Sequence, residues 1–116
     1  MSTLNWVLAA VCVLAIAGGQ LLFKRVGLEI EATGTWRDPR ALGFALAGFV
    51  LYGAATLLWI HVLRSIELGR VYPLMALSFV LVPLGSAWLF GERLSVDYFL
   101  GVGLVVAGVA WIGRAG

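Results

Sequence analysis

Residues 4–23 read LNWVLAAVCVLAIAGGQLLF, twenty consecutive positions with no charged side chain. A helix rises about 1.5 Å per residue and the hydrocarbon core of a bilayer is about 30 Å thick, so this run is long enough to cross a membrane. Working outward, residues 41–63 and 71–90 form runs of 23 and 20 residues of the same kind, and none of the three contains an acidic residue. A fourth run, 96–113, has 18 residues and begins beside Asp97. It just spans the bilayer or makes it thin locally. The reading is all-α: one integral membrane domain over residues 1–116, with transmembrane helices at about 4–23, 41–67, 71–90 and 96–113.

Composition agrees and excludes several classes. The chain is 62% hydrophobic and 12% charged with a mean hydropathy of +1.02, whereas soluble domains average about 25% charged residues. A net charge of +2, scattered along the chain, does not suit nucleic acid. The first apolar run is too long for a signal-peptide core and no basic side chain precedes it, so it is read as a mature helix. The single cysteine, Cys12, cannot form an internal disulfide and is assigned to packing. No metal-ligand cluster, hydrolytic triad, carboxylate pair, phosphate-binding glycine loop or HExxH motif is present. No enzyme, metal or cofactor is therefore expected.

The connections carry the charge. Helix 1 is expected to end at Lys24-Arg25, where the cations snorkel to headgroups. Residues 26–40 then form the only long loop, with Glu29, Glu31, Arg37, Asp38 and Arg40 beside the apolar Leu28, Ile30 and Trp36. Helix 2 is expected to start after Pro39 and stop near Glu67, with Gly69 beyond it. Pro73 falls in the first turn of helix 3, where proline is tolerated. Residues 91–95 form a tight turn. The first and third loops hold five basic residues and the second loop with the C-terminus holds three, which puts both termini outside the cytoplasm. Trp6, Trp59, Trp88 and Trp111 near the run ends read as an aromatic belt.

A polar side chain at membrane depth is costly and so is a functional candidate. Gln20 and Lys24 lie four apart and share one helix face. They either bond a neighbouring helix and anchor at the interface, or form a polar wall for a substrate headgroup. His61, Arg64, Glu67 and Arg70 recur every three residues. They either neutralise one another or hold an anion, with Glu67 orienting an arginine whose planar fork suits phosphate. Tyr72 adds a hydroxyl at the start of helix 3. Gly101 and Gly108, seven apart on one face of helix 4, with the Gly103-xxx-Ala107 step, serve close packing within the chain or a seam between two subunits.

Three stretches also resemble a known group. They are Gly69 to Val80 with its Tyr72-Pro73 start, Leu89-Phe90-Gly91-Glu92-Arg93-Leu94, and Gly101 through Gly108, joined by the Gly19-Gln20-Leu21-Leu22-Phe23-Lys24 end of helix 1. Together they resemble the short members of the drug/metabolite transporter superfamily, the small multidrug resistance and EamA-like proteins. In the multidrug branch a glutamate in mid-helix 1 exchanges protons for cations. The equivalent position here is Ile16. The chain is more similar to the aminoarabinose-lipid flippase subunits, whose third helix also begins with Tyr-Pro. That resemblance implies a half-transporter of the bacterial inner membrane, completed by a second identical or related subunit with Gly101 and Gly108 at the seam. It implies a polyprenyl-phosphate-linked sugar or similar anionic lipid as substrate. Lys24, Arg64 and Arg70 are then expected near the phosphate, Gln20 and Tyr72 on the headgroup, and Glu67 holding an arginine. The alternative is a proton-coupled exporter of small cations.

Overall fold

The computed structural model describes residues 3–115; Met1 and Ser2, read above as part of an N-terminus lacking basic side chains, and Gly116 lie outside the described residues. The helices are α1 (Thr3–Thr33), α2 (Pro39–Leu63), α3 (Leu68–Phe90) and α4 (Val96–Ala115). Each is long and apolar enough to cross a membrane, and no strand occurs among the described residues.

Two boundaries differ from those expected. α1 does not end at Lys24-Arg25 but continues to Thr33, so the expected loop over 26–40 shrinks to 34–38. Lys, Arg, Leu, Glu and Ala in 24–32 favour a helix, and Arg25 pairs with Glu29 at 3.3 Å, one turn on. The helix stops at Gly34, whose φ of +75° only glycine adopts freely and whose N–H donates to the Ile30 carbonyl at 2.7 Å. Ten residues of α1 thus project about 15 Å beyond the apolar run. They pair with the start of α2, which opens on Pro39 and is capped by Asp38 accepting from the Ala41 N–H at 3.0 Å.

α2 stops at Leu63 rather than near Glu67. Ile66 turns inward and is buried with Ala9, Val62 and Val71, and burying that side chain draws the chain out of the helix. Asn5 Nδ2 donates to Ser65 Oγ at 2.7 Å and ties the same corner to the start of α1. Cys12 is fully buried, its thiol 3.7 Å from the Ala55 carbonyl.

α3 is irregular. Tyr72–Leu77 is a 3-10 helix of six residues with Pro73 in its first turn, and Ser78–Phe90 is α-helical with Pro83 inside it. Pro83 has no N–H for the Phe79 carbonyl four residues back. Tyr98 of α4 supplies the missing donor, its hydroxyl 3.1 Å from Phe79 O. Freed backbone in lipid must be re-satisfied in this way.

Glycine permits two close approaches. A Cβ on Gly48 would lie 2.7 Å from the Phe23 ring, and one on Gly85 would lie 2.8 Å from Leu21 Cδ1. These contacts hold α2 and α3 against α1. α4 is different: none of its residues is buried. The four helices form a slab of 49 × 36 × 17 Å rather than a closed bundle.

Candidate functional site

Three helices converge on a groove of about 410 Å³ within the apolar spans. α1 contributes Ile16 and Gln20, α2 contributes Tyr52, and α3 contributes Ser78, Phe79, Val82 and Pro83. Ile16 and Gln20 are one turn apart on α1 and so share the lining face. The Gly19–Gly48 region lets α2 approach closely enough for Tyr52 to reach it, because a Cβ on Gly19 would meet the Tyr52 ring at 3.1 Å. The Ser78 hydroxyl donates to the Met75 carbonyl, which leaves its oxygen to accept. Gln20, Tyr52 and Ser78 are thus uncharged hydrogen-bonding groups on an otherwise apolar wall. No carboxylate lines this groove, and Ile16 is among its apolar lining residues.

One turn beyond Gln20, Lys24 reaches the turn between α3 and α4. Its Nζ lies 3.4 Å from Glu92 Oε2, and the buried Ser86 hydroxyl donates to Glu92 Oε1. Gly91, with φ +69°, closes α3 and aims the turn so that Glu92 faces α1. The Ser86 hydrogen bond is the chief cause that lowers the Glu92 carboxyl; burial opposes it, and the hydrogen bond and charge of the Lys24 ammonium add to the lowering. Lys24 therefore carries a resident anionic partner.

Arg64, Glu67, Arg70 and Tyr72 occupy the opposite end of the slab, and all four are exposed. Asn5 marks that level through its bond to Ser65. Nineteen residues of helix separate Asn5 from Lys24, about 28 Å. A single phosphate cannot touch Lys24 and these arginines at once within one chain. Among the described residues no ion pair joins Glu67 to Arg64 or Arg70; the only link is the Arg70 backbone N–H to the Glu67 carbonyl at 3.0 Å. Sequence reasoning picked out Gln20 and Lys24 but not Tyr52, Ser78, Ser86 or Glu92 as their neighbours. Tyr52 and Ser78 carried the same signal as Gln20, a polar group within an apolar run.

No group of three His, Cys, Asp or Glu side chains able to hold a metal occurs among the described residues. A slab of four apolar helices with a polar-lined groove and basic residues at both rims defines a small multi-pass membrane transporter. Comparison with known proteins narrows the class. The model of the EamA-like transporter family matches residues 1–114, and the chain belongs to that family. It is 39% identical over 111 residues to a probable 4-amino-4-deoxy-L-arabinose-phosphoundecaprenol flippase subunit ArnE of Erwinia tasmaniensis, covering 95% of this chain and 97% of that one. It is 33% identical to proteins of the same description from Aeromonas hydrophila and Pseudomonas syringae, covering 91% and 92% of this chain and 93% and 97% of theirs. No solved structure matches it. Its four spans and this kinship make it a multi-pass protein of the bacterial inner membrane.

Proposed function

We propose that this chain is one subunit of a flippase that carries a polyprenyl-phosphate-linked sugar, or a similar anionic lipid, across the inner membrane. The observation that carries the reading is the acid-free groove of Gln20, Tyr52 and Ser78, set between a basic rim at Lys24 and another at Arg64 and Arg70. The sugar head meets hydrogen-bonding groups at membrane depth, where isolated polar groups cost several kcal/mol. Its phosphate meets a cation at each boundary. Basic-residue bias places the Lys24 rim at the cytoplasmic leaflet and the Arg64–Arg70 rim, with Tyr72, at the outer one. The two rims act in sequence rather than on one phosphate. Glu67 lies between the two arginines in sequence and is assigned to orient one of them when the anion arrives.

Arginine, lysine and the neutral groove bind and release; no chemical step is assigned. Proton-coupled cation export would need a carboxylate at membrane depth, and the groove presents Ile16 there instead. A second four-helix subunit, identical or related, completes the path. The slab leaves α4 without a buried residue, and Gly101 and Gly108 lie on that helix, so α4 is the proposed seam.

The test is translocation of a labelled polyprenyl-phosphate sugar in vesicles holding the purified protein and the subunit that co-purifies with it. Alanine at Lys24, Arg64 or Arg70, and at Gln20, is expected to slow translocation about tenfold or more, and Tyr52→Phe several-fold, in protein of normal abundance. Unchanged translocation in all of these variants would remove the reading.

A further inference from the structure

Arg25, the neighbour of Lys24, pairs with Glu29 and lines two adjoining grooves. Toward α2 a groove of about 470 Å³ is formed by Arg25, Glu29, Arg40, Gly43, Phe44 and Ala47. The Arg25 guanidinium sits 5.6 Å from the centre of the Phe44 ring, and its Nη2 lies 3.3 Å from Glu29. These contacts orient the fork while engaging only one of its nitrogens in the ion pair; a guanidinium has five N–H donors. Arg40 makes no ion pair among the described residues. Two guanidinium groups thus face one carboxylate, and the groove favours an anion. Toward α3 a second groove of about 360 Å³ runs from Arg25 down the apolar span between Gly18, Leu21 and Leu22 of α1 and Leu89 and Phe90 of α3. Apart from Arg25, its lining is wholly apolar. Leu21, locked against Gly85, stands beside Gln20 on α1, so the groove lies next to the polar one without being part of it.

We infer that these two grooves form a lateral loading site for a lipid with a single phosphate and one long apolar chain, the phosphate on Arg25 and Arg40 and the chain between α1 and α3. Charge selects the phosphate, and the apolar groove between two helices takes the chain. From there the phosphate passes to Lys24, the next residue on α1, as it displaces Glu92. The inference rests on the flippase reading and adds where its substrate is first captured.

The experiment titrates undecaprenyl phosphate into the full-length protein with its co-purifying subunit, read by native mass spectrometry in detergent. Wild type retains the lipid, and Arg25→Gln with Arg40→Gln lowers the apparent affinity about tenfold. Arg40→Gln alone, which breaks no ion pair among the described residues, lowers it several-fold. Leu89→Trp, at a half-exposed position, lowers it several-fold by filling the chain groove. Excess inorganic phosphate does not displace the lipid. Wild-type affinity in the double variant, or equal displacement by phosphatidylglycerol or by inorganic phosphate, overturns the loading site while leaving the flippase reading standing. A wild type that retains no lipid likewise overturns the loading site, while the translocation assay alone decides the flippase reading.

Discussion

Gly48→Ala tests how tightly α1 and α2 must close to build the groove. The new methyl carbon would stand 2.7 Å from Phe23 Cε1 and 3.0 Å from Cδ1. Carbon atoms not bonded to each other rest at about 3.5–4.0 Å, so the ring must retreat by about 1 Å. It has little room, because it packs against Phe49 at 5.4 Å and Tyr52 at 6.1 Å between ring centres. Overpacking of this kind costs about 1–3 kcal/mol. Gly43→Ala on the same helix is the control. Among the described residues no atom beyond the local helix lies within 4 Å of its Cβ position, and alanine there gains up to about 1 kcal/mol of helix propensity. Both variants are unfolded by sodium dodecyl sulfate in mixed micelles and followed by far-ultraviolet circular dichroism. Gly48→Ala is expected to lose about 1–3 kcal/mol and, by shifting Tyr52, to slow translocation as well. A Gly48→Ala protein as stable as Gly43→Ala would refute the close-packing argument.

The lowered Glu92 carboxyl contributes stability that is present above the ordinary carboxylate range and is lost as pH falls through its depressed native value. The Lys24–Glu92 pair is therefore expected to stay intact from about pH 5 to pH 8 and to break only in more acid solution. Acid unfolding followed by circular dichroism should show a shallower acid limb in Glu92→Gln; an identical limb would contradict the contact. Gly101→Leu with Gly108→Leu should leave the isolated fold intact, since among the described residues nothing beyond the local helix lies within 4 Å of either Cβ position, yet abolish subunit pairing measured by energy transfer in liposomes. Undiminished pairing would move the seam off this face of α4.

The spans were legible because crossing a bilayer needs a run of about 20 apolar residues, and a sequence displays such runs directly. The same signal misplaced the end of α1. Hydropathy reports where the hydrocarbon stops, whereas the helix ends only where its backbone bonding ends, at Gly34. The stop of α2 depended on Ile66 finding Ala9 across the fold, a contact invisible to local pattern. Gln20 and Lys24 stood out in the sequence by their cost in lipid. Their surroundings did not: Tyr52 and Ser78 lie 32 and 58 positions from Gln20, and Glu92 lies 68 from Lys24.

The split of the basic residues between two rims, rather than about one phosphate, also required the path of the chain through the slab. Four membrane-spanning helices, the first three apolar runs free of acids, follow from the order of residues alone, because burial of backbone and charge in lipid leaves few alternatives. Which polar groups face one another depends on how the helices pack. Small residues such as Gly48 and Gly85 bring specific helix faces together, and no periodicity within one helix encodes the partner it will meet.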